Sequence, residues 1–172
     1  MKKHIVLIGL PGAGKTTAGP LVAAELKTRF VDLDELIEQE QGLSVRDIFV
    51  QQGERAFREM EQAVAARVFE KEPLVMAPGG GWSAQPGAIE RAQARGFIVY
   101  LRTSPELAAQ RVGQGRTRPL LGGANPEERM RELLTAREGF YKRANVTVGT
   151  DERSAKEVAR EITVLARSQA GW

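Results

Sequence analysis

Gly9-Leu10-Pro11-Gly12-Ala13-Gly14-Lys15-Thr16-Thr17 decides how this chain reads. It follows the apolar run Ile5-Val6-Leu7-Ile8 and leads into a helical pattern. Its spacing is glycine, four residues, then Gly-Lys-Thr, which is that of a P-loop. Glycines let the backbone curl so that successive N–H groups point at phosphate oxygens. The helix that starts there brings its positive dipole end to the same place. Lys15 offers a mobile positive charge to the β- and γ-phosphates, and the Thr16 hydroxyl is a hard oxygen suited to Mg²⁺. Gly12, Ala13, Gly14, Lys15, Thr16 and Thr17 are therefore the expected nucleotide cradle.

A chain of 172 residues is long enough for one domain with a sizeable core. It has no cysteine, so disulfides, thiolate metal sites and cysteine nucleophiles are excluded. Its one histidine, His4, stands at the start of the first strand. A histidine metal cluster or a Ser/His/Asp triad is thereby excluded, and a general base must be a carboxylate or a lysine. Lys2-Lys3 before an apolar run has the look of a signal peptide, but the run is short and breaks into the phosphate loop. No stretch approaches transmembrane length. The formal net charge of +3 is too small to argue for nucleic acid. These features suit a cytoplasmic protein without membrane or nucleic-acid partners.

Around the P-loop the pattern alternates. Lys3–Leu10, Phe30–Asp34, Pro73–Ala77, Phe97–Leu101 and Val146–Val148 read as strands. Helical patterns separate them, and Gly19-Pro20 predicts a kink in the first helix. Ser44 reads as the cap of a short helix ending near Gly53, and Phe57, Met60, Val64 and Val68 mark the apolar face of a long one. Ser104-Pro105-Glu106 and Asn125-Pro126-Glu127 read as capped helix starts, and Ser154 with Glu157 as a capping box. Strands alternating with helices predict an α/β fold, a five-stranded parallel sheet flanked by helices in three layers. We expect a single domain over 1–172, with a helical insertion at about 34–60 and a mobile lid at about 113–125.

Four further groups carry chemistry. Asp32 and Asp34 fall at the carboxyl end of a strand, where open α/β sheets bind ligands; strand alternation would send both side chains to one face. One can hold Mg²⁺ through water, and the other can orient or deprotonate an attacking hydroxyl; acids at a strand end can also be a turn or an N-cap. Arg58 and Arg137, each unremarkable alone, together suit a small carboxylate. Gly79-Gly80-Gly81 offers bare N–H groups and close approach, or simply a flexible turn. Arg116-Thr117-Arg118-Pro119 sits between glycines, in a segment suited to closing over phosphates.

Together these residues resemble shikimate kinase along nearly the whole chain. The matching stretches are Gly9–Thr17, Asp32-Leu33-Asp34, Gly42-Leu43-Ser44-Val45, Gly53-Glu54 with Phe57-Arg58 and Glu61, Gly79-Gly80-Gly81, Arg118-Pro119-Leu120-Leu121, and Arg137 with Tyr141. The resemblance implies ATP-dependent phosphorylation of the 3-hydroxyl of shikimate, using Mg²⁺; we expect a monomer. It implies that Lys15 contacts phosphates, Thr16 binds Mg²⁺ and Asp32 assists through water. Asp34 would bind and activate the substrate hydroxyl, with Arg58 and Arg137 on the carboxylate and Gly79, Gly80 and Gly81 against the substrate. Arg118 would be the lid arginine, and Arg111 and Arg153 would flank adenine. The chain departs from the family pattern at Trp82-Ser83, Gly139 and Ala155.

A kinase for another small metabolite, such as gluconate, is the nearest rival, but it gives no reason for the acid pair, Phe57-Arg58 and triple glycine together. A nucleoside monophosphate kinase needs arginines for a second phosphate group. A GTPase needs the Asn-Lys-x-Asp guanine-reading motif, which is absent. A non-catalytic ATP-binding module predicts loss of Lys15, Asp34 or the loop arginines, and all are present.

Overall fold

Alternating apolar strands and capped helices fold as a three-layer α/β sandwich. The computed structural model describes residues 1–113 and 125–172. Five parallel strands, β1 (His4–Ile8), β2 (Phe30–Asp32), β3 (Val75–Ala77), β4 (Gly96–Arg102) and β5 (Val146–Gly149), are ordered β2-β3-β1-β4-β5. β1 is central, with Ile5 opposite Val75 on one side and Phe97 on the other. Its continuous apolar run follows from burial on both faces. Val6 and Ile8 join one core cluster, with Leu33, Ile37, Ile48, Val64 and Met130. Ile5 and Leu7 join the other, with Val22, Val99 and Ile162. Each fully buried aliphatic side chain contributes roughly 1.5–3 kcal/mol.

The helices are α1 (Lys15–Glu25), α2 (Leu33–Gln41), α3 (Val45–Phe69), α4 (Ala88–Gln93), α5 (Pro105–Gly113), α6 (Pro126–Tyr141) and α7 (Ala155–Gln169). Their ends obey the expected capping chemistry. Ser44 accepts from the Asp47 N–H, and Asn125 from those of Glu127 and Glu128. Ser154 and Glu157 form the full capping box. Gly42 closes α2 in the left-handed conformation (φ 66°). The span 45–69 is two helical pieces broken at Gly53 (φ 86°, ψ 165°), as its glycine suggests. α1 carries Pro20 in its interior without ending there.

Several boundaries differ from the sequence expectation. β2 stops at Asp32 rather than Asp34, because Asp32 turns to cap α2 and accepts the Glu35 N–H at 3.2 Å. A short 3-10 helix, Trp82–Ala84, follows the triple glycine and precedes a helix shorter than the expected 87–95. Trp82 is buried in the same core cluster as Phe57 and Met76. The expected lid, including Arg116 and Arg118, falls on residues 114–124, outside the described residues.

Candidate active site

β1 ends at Ile8, and the chain then makes the turn that its glycines allow. Gly12 (φ 81°) and Gly14 (φ 93°) both lie in the left-handed region. At Gly12 a Cβ would stand 2.5 Å from the Ala108 carbonyl oxygen, so α5 packs directly on the loop. Gly14 is the N-cap of α1 and provides no side-chain cap. The first-turn N–H groups of α1 therefore open towards an anion. Lys15 is buried, and its ammonium donates to the carbonyls of Gly9 (2.6 Å) and Leu10 (3.0 Å). Thr16 and Thr17 are exposed at the mouth.

Beside this loop lies a cavity of about 170 Å³, lined by Gly14, Thr17, Arg111, Thr150, Arg153 and Ala155 among others. Arg111 and Arg153, distant in sequence, thus meet at one pocket adjoining the P-loop. Arg111 Nη1 donates to the Gly12 carbonyl at 3.2 Å, and Arg153 Nη1 to the Gly149 carbonyl at 2.9 Å.

The two aspartates do not share a strand face, as alternation along one strand had suggested. Asp32 is the cap of α2, with one carboxylate oxygen committed to the helix backbone. Asp34 lies in the first turn of α2 and reaches the triple glycine instead.

The glycines after β3 lie hard against charged side chains. A Cβ at Gly79 would stand 2.7 Å from Glu61 Oε1 and 2.8 Å from Asp34 Oδ1. At Gly80 it would stand 2.9 Å from Arg137 Nη1, and at Gly81 it would collide with the Arg58 guanidinium. A side chain at any of the three would push these charged groups aside. Arg58 comes from α3 and Arg137 from α6, so three elements converge. Arg58 Nη1 donates to Glu61 Oε2 at 2.7 Å, and Nη2 to Glu54 Oε1 at 3.4 Å. Arg58 Nε, Glu61 Oε1 and Arg137 Nη1 are buried with no hydrogen-bond partner among the described residues. Buried charged groups in proteins are normally paired, so these atoms suit the polar groups of a ligand.

Glu61 received little weight from sequence alone. Its position, three residues after Arg58 and between Phe57 and Val64, puts it on the buried face of α3. Burial pushes its carboxyl up to about 7; nearby Asp34 adds to this, while Arg58 and Arg137 oppose it. Among the described residues no group of three His, Cys, Asp or Glu side chains is arranged to hold a metal.

A parallel sheet in this strand order, with a phosphate loop after its central strand and a charged pocket alongside, defines a P-loop kinase fold. The family model for shikimate kinase matches residues 11–166. Shikimate kinase from Caldanaerobacter subterraneus subsp. tengcongensis is 39% identical over 160 residues, 93% of this chain and 94% of that protein. The enzyme of that name from Symbiobacterium thermophilum is 43% identical over 92% of this chain and 93% of that one. The solved structure of shikimate kinase from Acinetobacter baumannii in complex with shikimate superposes with a TM-score of 0.92. It is 38% identical and is matched over 98% of this chain and 94% of that one. The chain belongs to the shikimate kinase family.

Proposed function

We infer that this chain transfers the γ-phosphoryl group of ATP to the 3-hydroxyl of shikimate, giving shikimate 3-phosphate and ADP. The reaction belongs to the shikimate pathway, which leads to chorismate and the aromatic amino acids. The observation that carries this reading is the half-buried Arg58 and the buried Arg137 at the triple glycine, each with one buried donor atom lacking an acceptor among the described residues, beside Asp34. A carboxylate supplies acceptors to both guanidinium groups, and a ring bearing hydroxyls gives Asp34 a proton to accept.

In this reading Gly12, Ala13, Gly14, Lys15, Thr16 and Thr17 hold the phosphates, and Arg111 and Arg153 flank the adenine. The positive-φ glycines and the open first turn of α1 fit an anion. Thr16 would hold Mg²⁺, with Asp32 acting through water from the carboxylate oxygen that the cap does not use. Such a set suits Mg²⁺, which keeps several waters and phosphate oxygens. Bound Mg²⁺ would neutralise phosphate charge. Arg58, Arg137, Gly79, Gly80 and Gly81 fix the substrate, and Asp34 orients its hydroxyl. The hydroxyl oxygen bonds to the γ-phosphorus, the bond from that phosphorus to the β-phosphate's bridging oxygen breaks, and the hydroxyl proton passes to Asp34. Lys15 and Arg118 stabilise the transferring charge; Arg118 enters on the family resemblance. The chain acts as a cytoplasmic monomer without nucleic-acid or membrane partners. No helix among the described residues is long and apolar enough to cross a membrane.

The test is ADP release with MgATP, alone and with shikimate, gluconate or quinate. Stimulation by shikimate and not by the other two is the expected result. Equal stimulation by gluconate, or none by shikimate, overturns the substrate assignment.

A further inference from the structure

The triple glycine has a second property besides its closeness to the charged cluster. Each of its carbonyls has a protein donor. Gly79 O accepts from the Trp82 N–H at 3.0 Å, Gly80 O from the Tyr141 hydroxyl at 3.3 Å, and Gly81 O from Gln85 Nε2 at 3.2 Å. The N–H groups of Gly79, Gly80 and Gly81 have no acceptor among the described residues. In a planar trans peptide the carbonyl and the next residue's N–H point in opposite directions. Holding Gly80 O therefore aims the Gly81 N–H the other way. Holding Gly81 O sets the Trp82 N–H, which holds Gly79 O, which aims the Gly80 N–H. Two side chains thus set the orientation of these donors.

Both side chains are well placed for this. Tyr141 is fully buried, and its ring stacks on Tyr100 of β4 with centroids 4.9 Å apart and planes at 23°. The ring is fixed, so its hydroxyl is a fixed donor. Tyr141 follows Arg137 by four residues on α6, one turn along the same face. One helix therefore presents the arginine at Gly80 and the phenol that holds the Gly80 carbonyl. Gln85 immediately follows the short 3-10 helix and reaches back over it. Without these donors, glycine's conformational freedom would let the peptide planes turn and bring carbonyl oxygens towards an anion.

We propose that Tyr141 and Gln85 are positioning residues, which fix the peptide planes of Gly79–Gly81 so that the Gly80 and Gly81 N–H groups face the substrate's anionic group. The proposal rests on the substrate reading above. Gln85→Met keeps the length and removes only the donor, and carries the test; Tyr141→Phe keeps the ring stack but removes both the donor to Gly80 and the hydroxyl's contact with Arg137, and is the supporting variant. Each variant is expected to raise KM for shikimate by about tenfold, the effect of one lost directional interaction. KM for ATP and the thermal midpoint should stay near those of the parent, and kcat should change by less than about twofold, since the chemistry at Asp34 is untouched. For the methyl ester of shikimate, which lacks the anionic group, the variants should match the parent. Gln85→Met, at a half-buried position, carries the test alone if Tyr141→Phe does not fold. An unchanged shikimate KM, or equal losses for shikimate, its ester and ATP, overturns the proposal. A parent enzyme that shikimate does not stimulate sinks the substrate reading instead, and the two failures are distinguishable.

Discussion

The phosphate loop and the acid–arginine cluster sit side by side and are built on opposite principles. On the nucleotide side the polar side chains are held by the fold itself. Lys15 donates to two backbone carbonyls, Arg111 to the Gly12 carbonyl, and Arg153 to Gly149 O and to Glu161 at 2.6 Å. On the substrate side, Arg58 Nε, Glu61 Oε1 and Arg137 Nη1 are buried without partners among the described residues. An unsatisfied buried polar atom costs about 1–3 kcal/mol. The first site offers backbone donors and point charges to phosphates, which all nucleotides share. The second concentrates desolvated charge that only one arrangement of acceptors relieves, and selectivity therefore belongs there.

The sharpest way to break this contrast is Asp34→Asn. The change is nearly isosteric and leaves the P-loop intact, but it removes the proposed acceptor for the hydroxyl proton. Loss of a positioned general base lowers turnover by roughly 10²–10⁴-fold. ATP titration should be unaltered while turnover collapses. A variant with parental turnover removes Asp34 from the chemistry and shifts the weight to positioning alone.

Glu61 offers a second, smaller probe, read through stability. Burial pushes its carboxyl up to about 7, with Arg58 and Arg137 pulling the other way. In the unfolded chain the group returns to the ordinary range near 4.5. A carboxyl raised on folding contributes stability that is fully present below its unfolded value and is lost as pH rises through about 7. The loss is on the order of 3 kcal/mol. Glu61→Gln cannot ionise and lacks that slope. Denaturant unfolding at pH 4 and pH 8 should therefore show the parent losing about 3 kcal/mol more than the variant. Parallel pH dependences would mean that Arg58 keeps Glu61 ionised throughout.

The sequence reading succeeds where one local rule governs and fails where two compete. The central strand, the phosphate loop and the capped starts of α6 and α7 were legible, because spacing and cap chemistry act within a few residues. Asp34 was placed on the wrong element. An acid pair after an apolar run reads as a strand end, but Asp32 accepts the Glu35 N–H of α2 and so starts the helix two residues early. The convergence of Glu61, Arg137 and Arg58 on three consecutive glycines depends on tertiary packing of α3 and α6 against the end of β3, which no periodicity encodes. Tyr141 had the same difficulty: its spacing from Arg137 is local, but its hydroxyl meets a carbonyl 61 positions away.

A mirrored pair of arginine variants gives the finest test of the contrast. Arg137→Ala removes a buried cation whose Nη1 has no partner among the described residues. If that atom serves the substrate carboxylate, the charged contact is worth about 1.5–3 kcal/mol, so KM for shikimate should rise about 10–100-fold while KM for ATP holds. Arg111→Ala removes a half-buried side chain already bonded to the Gly12 carbonyl. Its loss is worth about 1 kcal/mol, roughly fivefold in KM for ATP, with shikimate unaffected. The asymmetry matters more than either number. An unpartnered buried donor is worth more to its ligand than one the protein has already occupied, because the ligand relieves a cost that folding left in place. If the two variants lose equally, or each affects both ligands, the sites are coupled through the P-loop rather than divided at it.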